Sequence, residues 1–373
     1  MTQKYDVVII GGGMAGVSLA AELAPRRSVV LLEQEDAFAR HATGRSAAML
    51  YVTYGNATVR SLTRASCDFF VNPAPDFSGA PLVNPRACLH VADQSQLTEW
   101  ETLSDPELAP SLRQLTIEEA LEHVPILDPA WLHRAAIDES GFDIEVSSVL
   151  QGYLVKARRA GANLVTGAGE TRIERLSKGW HVRTRAGDFE AAVLVNAAGA
   201  WADQVAELAG VRGLGLRPLR RTAITLACPP ELDTRHWPFV IAADESFYFK
   251  PDAGRLLVSP ANEDPSEPCD AAADELDIAI AIDRFERATR MNATRVVSRW
   301  AGLRTFAADR SPVAGFDDAD SAFFWLAGQG GFGIQTAPAL ARSAAALICG
   351  SGIPADIASE GVDEAALSPG RLR

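Results

Sequence analysis

The sequence predicts an α/β chain in which a discontinuous nucleotide-binding domain carries a second domain built on mixed or antiparallel sheet. Three observations lead there. An apolar strand at residues 5–10 runs straight into Gly11-x-Gly13-x-x-Gly16 and then into an alanine-rich helix. Between residues 73 and 129 the texture changes to Pro-rich loops and polar helices, and residues 214–263 break into strand-like runs separated by Pro and Gly. Far along the chain, residues 323–333 again read as strand into glycines and lead into a second Ala-rich helix at residues 336–348.

The first unit sets the chemistry. Gly11 permits a tight turn, Gly13 lets the backbone approach a pyrophosphate, and Gly16 allows the helix to pack closely on its strand. The free N–H groups at the helix start then face the phosphates. The helix carries Met14, Val17, Ala20 and Leu23 at helical spacing, which gives it one apolar face for the sheet. A second apolar strand ends in Glu33, about 20 residues after the glycines, where a carboxylate can hold a ribose hydroxyl.

Beyond the Pro-rich stretch, with its polar helix at 116–123, a helix is expected at 146–160 and a strand at 163–166. A hairpin through 180–184 and a buried strand at 191–199 follow, the latter ending in a glycine where ligands sit in a doubly wound sheet. The runs 222–227, 246–250 and 255–259 read as strands of an antiparallel sheet. Residues 1–75, 144–212 and 300–373 are assigned to the nucleotide domain, and residues 76–143 with 213–299 to the substrate domain.

Composition narrows the partners. The 373 residues carry 35 basic and 48 acidic side chains, a formal charge of −13 with no long basic run, which argues against nucleic acid and anionic membranes. A small-molecule substrate fits better. Cys67, Cys88, Cys228, Cys269 and Cys349 are odd in number and contain no C-x-x-C pair, against both a disulfide framework and a zinc site, so no metal is expected and the expected compartment is the cytoplasm. No stretch of about 18 apolar residues suggests a transmembrane segment.

A βαβ fingerprint ending in glutamate fits NAD or FAD, because both present an adenosine ribose and a pyrophosphate. Two other segments favour FAD. Thr43-Gly-Arg-Ser-Ala-Ala48 offers successive backbone donors and hydroxyls along the path of a ribityl chain, and Gln329-Gly-Gly-Phe-Gly-Ile-Gln335 can aim N–H groups at an anionic flavin ring. None of the five cysteines lies in residues 328–335, so the flavin is expected to be non-covalent.

With Val195-Asn-Ala-Ala-Gly-Ala-Trp201, Trp300-Ala-Gly-Leu-Arg304, residues 244–254 and the tail Leu367-Ser-Pro, these motifs resemble the D-amino acid oxidase family of FAD enzymes nearly end to end. Within that family the resemblance extends to bacterial D-arginine dehydrogenases. The resemblance implies a Rossmann-like FAD domain, a substrate domain against the flavin face, and hydride transfer from a substrate carbon to the flavin. It implies that FAD is held by Gly11, Gly13, Ala15 and Gly16, and by Glu33 and Gln34. Further contacts are implied for Ala42, Thr43, Gly44, Arg45, Ser46 and Ala48, for Thr171 and Gly199, and for Gly330, Gly331, Gly333 and Ile334. His41 is a candidate to line the flavin site, with a structural role as the alternative.

Oxidation of an α-amino acid that enters with a neutral amine asks mainly for positioning, and arginine anchors a carboxylate with two parallel hydrogen bonds. The resemblance gives this task to Arg221 and Arg304, and places the phenols of Tyr54 and Tyr248 over the carboxylate and amine. Strand alternation sends Arg220 and Arg221 to opposite faces, and Tyr248 to the face opposite Phe247 and Phe249. Met49, Tyr51, Cys88, Gly302 and Gln335 are expected around the substrate. Arginine-specific members have a glutamate where this chain has Cys88, and a histidine and a smaller hydroxyl residue where it has Met49 and Tyr51. A more apolar pocket for a neutral or apolar D-amino acid is therefore expected, with Arg86 as a residue able to rebuild a polar site. Oxidation of a secondary amine or N-alkyl amino acid would use the same anchors. A non-catalytic flavin-binding assembly module and a nicotinamide dehydrogenase are the readings from other classes. No motif specifies the electron acceptor.

Overall fold

The computed structural model describes residues 2–104 and 109–373; residues 105–108, within the Pro-rich stretch, lie outside it. The first sheet has eight strands. At its centre the strand Gln3–Ile10 lies parallel to Val29–Leu32 on one side and to Gly187–Asn196 on the other. Asn163–Val165 extends this parallel array beyond Val29–Leu32, and Phe323–Ala327 extends it beyond the end of Gly187–Asn196. The sheet is therefore assembled from pieces drawn from both ends and the middle of the chain.

Helix Met14–Leu23 packs on this sheet against the helices Val146–Arg159 and Ala337–Ile348, in one core with Val7, Ile9 and Leu31. Its first turn sits unusually near the strand. Gly11 adopts a φ of 108°, and a Cβ on Gly16 would lie 1.9 Å from the Gly11 carbonyl oxygen, so no larger residue fits at that crossing. Thr43 Oγ1 accepts a hydrogen bond from Met14 N at 3.0 Å and ties the following segment to the helix start.

The second sheet has nine strands and is mixed: Cys88–Ala92 runs parallel to Phe239–Ala242 and antiparallel to Arg134–Asp138. The rest of its pairings are antiparallel. Arg217–Ala227, Arg255–Ser259 and Tyr248–Asp252 form the middle, and Val296–Phe306 pairs along nearly the full length of Arg217–Ala227. Two faces separate cleanly by alternation. Leu89, Val91, Val240, Phe247, Phe249, Ile224 and Val258 enter a core with the helix Glu275–Ala288. Cys88, Ile241, Tyr248, Leu257 and Ala223 turn to the other side, with Tyr51 over them. A small three-stranded sheet of Met49–Leu50, Phe142–Ile144 and Val83–Pro85 lies off both large ones.

Most expected elements are present, with helices at Ile117–His123, Val146–Arg159 and Ala337–Ile348. The strand read at 246–250 is shifted and spans Tyr248–Asp252. The domain boundary placed at residue 300 needs correction. It falls inside Val296–Phe306, whose residues pair with Arg217–Ala227 in the second sheet, so a boundary belongs after Phe306. Among the described residues no helix is long and apolar enough to cross a membrane.

Gly16→Val tests the helix crossing: overpacking of this kind costs about 1–3 kcal/mol. The variant should melt several degrees lower and retain less flavin, as read from a thermal melt and from visible absorbance after desalting.

Candidate active site

A cavity of about 620 Å³ runs from the C-terminal ends of the parallel strands to the face of the second sheet that carries Ala223 and Tyr248. At one end it is lined by Gly11, Gly13, Ala15, Glu33 and Gln34, and along its length by Ala42, Thr43, Arg45, Ser46, Thr171 and Gly199. At the other end stand Gly302, Arg304, Gly330, Gly331, Gly333 and Ile334. The cavity thus gathers most residues expected to hold the cofactor. Gly16 and Gly44 do not line it: Gly16 is taken up by the helix crossing, and Gly44 packs on the Ala39 carbonyl, which a Cβ would approach to 2.5 Å. Ala48 lines the neighbouring chamber instead.

Glu33 is buried, with one carboxylate oxygen accepting from Gly12 N at 2.6 Å and the other from Glu35 N at 2.9 Å. Burial pushes its carboxyl up from the usual range, against the pull of those two N–H groups. Two acceptor oxygens at the strand end, a backbone cradle at the helix start and a long cavity between them fit an adenine dinucleotide. Arg45 lines the cavity, yet its guanidinium is engaged elsewhere: it donates to the carbonyls of Ala271 at 2.8 Å and Ala301 at 2.9 Å and pairs with Asp270. His41 also lines the cavity, its ring tilted against that of Trp201 and bonded to Glu35 at 3.0 Å.

A second chamber of about 420 Å³ adjoins the first. Ser46, Ala47, Arg221, Tyr248, Arg304 and Gly331 line both, so the two meet there. Arg221 and Arg304 come from the paired strands Arg217–Ala227 and Val296–Phe306, where Arg221 lies opposite Gly302 and Arg304 opposite Leu219. Alternation places both on the chamber face, while Arg220 turns away to Asp277, 3.2 Å distant. Arg221 donates to Asn262 O at 2.8 Å and to Glu263 at 3.2 Å, and Arg310 holds the same carboxylate at 2.8 and 3.0 Å. The Arg304 guanidinium lies against Gly331, where a Cβ would come within 2.9 Å of it. Among the described residues, no carboxylate lies within ion-pair distance of Arg304.

The phenols respond to this charge. Tyr248 is buried, which opposes ionisation, but Arg304 and Arg221 more than offset that and hold its pKa below the ordinary phenol value. Burial raises Tyr54 instead; its hydroxyl donates to Glu245 at 3.5 Å and its ring meets Phe332 edge-on.

Met49, Tyr51, Cys88 and Gln335 line the second chamber, and Gly302 lines the first. Gln335 donates to Thr63 Oγ1 at 3.0 Å. The chamber is more polar than expected: Asn56, Arg60, Glu245 and Arg310 line it, and so does His90. His90 Nε2 is 2.8 Å from the Tyr51 hydroxyl and 3.4 Å from Cys88 Sγ. Sequence reasoning missed it among scattered histidines; the available signal was its spacing of two from Cys88 in a strand, which puts both on one face. Arg86 does not rebuild a polar site. It pairs with Asp143 at 2.7 Å and donates to the carbonyls of Arg235 and Trp237, outside the chamber lining.

This fold and this cavity define an FAD-dependent oxidoreductase. Residues 6–347 match the DAO family, described as FAD dependent oxidoreductase, and the chain belongs to it. Glycine oxidase of Geobacillus kaustophilus (strain HTA426) is 24% identical over 358 residues, which cover 91% of this chain and 91% of that one. The crystal structure of L-proline dehydrogenase from P.horikoshii superposes with a TM-score of 0.82 at 20% identity, over 95% of this chain and 96% of that one. That of iminodiacetate oxidase from Chelativorans sp. BNC1 gives 0.79 at 21% identity, over 97% and 98%. FAD is the cofactor, and the chain is an FAD-dependent oxidoreductase.

The two arginines beside Tyr248 make it the early-titrating phenol. Followed by phenolate absorbance, one component should ionise below the ordinary value of about 10. Tyr248→Phe should remove that component, whereas Tyr54→Phe, whose phenol is shifted the other way, should leave it in place.

Proposed function

We propose that this enzyme oxidises an α-amino acid with an uncharged side chain to its imino acid, which water hydrolyses to the keto acid and ammonia. The observation that carries the reading is the convergence of Arg221, Arg304, Tyr54 and Tyr248 on the second chamber, three of them where it joins the nucleotide cavity. Arg304, which pairs with no carboxylate among the described residues, is an anchor for a substrate carboxylate, and Arg221 stands beside it as the second donor. Held there, the substrate keeps its Cα at the junction. With the amine neutral, the Cα hydrogen leaves with its electron pair while the nitrogen lone pair forms the C=N bond. The flavin, when bound, supplies the acceptor for that hydride. The protein's part is orientation and exclusion of water, with the phenols closing over the carboxylate and amine.

The D configuration is what the resemblance to the D-amino acid oxidase family implies. An uncharged side chain is favoured by Cys88, which is buried and faces the chamber where a glutamate would meet a cation. Burial pushes its thiol well up, which keeps it neutral. Oxidation of a secondary amine is the second reading, favoured by the likeness in fold to a proline dehydrogenase and an iminodiacetate oxidase. Kinetics on D- and L-amino acids beside their N-methyl counterparts, with an artificial acceptor, separates the two.

Arg304→Met and Arg221→Met should each lower kcat/KM about 30-fold or more, the scale expected when a buried charge pair loses one partner. Both variants should remain yellow and release free FAD on denaturation. Unchanged kinetics in the pair would move the carboxylate elsewhere.

Cys88→Glu should raise kcat/KM for D-arginine or D-lysine relative to D-methionine, with the wild type in the reverse order. The new carboxylate would be buried and would lie opposite Asp138 in the strand register. Its pKa would rise in the absence of a cation, and activity on apolar substrates should fall. A wild type that already prefers D-arginine sinks the selectivity argument.

A further inference from the structure

The cluster of Tyr51, Cys88 and His90 in the second chamber has an organisation that an apolar pocket would not need. We propose that Tyr51 and His90 form a recognition element for an uncharged polar substrate side chain, of the carboxamide class. This rests on the reading above, in which Arg221 and Arg304 hold the substrate carboxylate.

The placement is the first argument. A histidine satisfied within the core would point to the side of the sheet filled by Leu89 and Val91, its neighbours in the strand. His90 points the other way, with Cys88, and both line the chamber beside Phe239 and Ile241 from the parallel neighbouring strand. Tyr51 reaches the same point from the loop after Met49–Leu50.

The second argument is the hydrogen-bond capacity of the pair. With the Tyr51 hydroxyl 2.8 Å from His90 Nε2, either tautomer makes the bond. If Nε2 is bare, the phenol donates to it and offers an oxygen lone pair to the chamber. If Nε2 carries the proton, the phenol accepts it and turns its own hydrogen outward. The same wall can therefore accept from an amide NH₂ or donate to an amide carbonyl, and the Cys88 thiol stands 3.4 Å from the same nitrogen.

Charge is the third. Burial drives the imidazole down to about 4, against the pull of Asp138, so the wall is neutral in ordinary buffers. Asp138 lies behind Cys88 on the adjacent strand, its carboxylate already holding Ser111 at 2.7 Å and Ser140 at 2.6 and 2.9 Å. A substrate carboxylate at this wall would meet a neutral surface backed by a negative charge. An amide of the same shape meets no such repulsion.

Asparagine, leucine and aspartate are close in shape and differ in polarity and charge, so they isolate the effect. The test measures kcat/KM for these three, in whichever enantiomeric series reduces the flavin, with the wild type, Tyr51→Phe and His90→Phe. Flavin content reports folding, and Tyr51→Phe keeps the ring while removing only the hydroxyl. The wild type should prefer asparagine to leucine by about tenfold or more, as expected for a site built to hydrogen-bond its ligand, with aspartate last. Both variants should bring the asparagine-to-leucine ratio down to near or below one. A wild type that prefers leucine, or a ratio that Tyr51→Phe leaves unmoved, overturns this proposal while the carboxylate anchor stands. If no amino acid reduces the flavin, the anchoring reading fails and the recognition element falls with it.

Discussion

The positive charge of Arg304 is the constraint around which the chamber is arranged. A guanidinium held away from bulk water is stable only where dipoles and neighbouring groups replace its hydration. Burial works against the charge, yet the phenols of Tyr54 and Tyr248 reverse the balance, and Arg304 holds its proton more tightly than an ordinary arginine. Gly331 leaves room for the planar group, and Arg221 faces the same space while drawing on Glu263. Burial and the presence of Arg304 both lower the pKa of Arg221. Arg221, Arg304 and Arg310 line the chamber together with Glu245, which accepts from Tyr54, while Glu263 is shared by Arg221 and Arg310, so that among the described residues Arg304 pairs directly with no carboxylate. On the proposed reading a substrate carboxylate would give Arg304 that partner, and would tie the electrostatics of the chamber to its choice of ligand.

The nucleotide half was legible because its signals are local. Gly11, Gly13 and Gly16 lie within six residues of each other, and Glu33 ends the next strand, so chain proximity and spatial proximity coincide. The same holds for the alternation that separates Arg220 from Arg221 and Tyr248 from its two phenylalanines. Long-range pairing leaves no such mark. Nothing near residue 300 tells that Val296–Phe306 pairs with a strand some 80 residues earlier, and the late glycines nearby draw that segment toward the nucleotide domain on paper. His90 was hidden for a different reason. A single histidine in an apolar run reads as core until the sheet face is known, and the face depends on partners drawn from residues 134–138 and 239–242.

The second sheet separates two environments by the pleat alone. On one side Phe247 and Phe249 lie with Phe285 in dry packing; on the other, one residue away, Tyr248 meets two guanidiniums. A shift of one residue in any of these strands would exchange the faces, so the apolar side fixes the register of the reactive side. Arg45 carries that register across to the nucleotide lobe, since its guanidinium bonds Ala301 and Ala271 while its own carbonyl accepts from Trp300 Nε1 at 3.0 Å.

The strands proposed to hold the substrate carboxylate and the strand proposed to meet its side chain are different members of one sheet. Arg221 and Arg304 belong to Arg217–Ala227 and Val296–Phe306, while Cys88 and His90 sit on Cys88–Ala92, with Arg255–Ser259, Tyr248–Asp252 and Phe239–Ala242 in between. Such a division makes substrate range an evolvable property. If those roles hold, exchanges at positions 88 and 90 would alter what the far strand accepts without disturbing the arginines several strands away, so a lineage or a directed-evolution library could wander among side chains while the reaction itself is conserved.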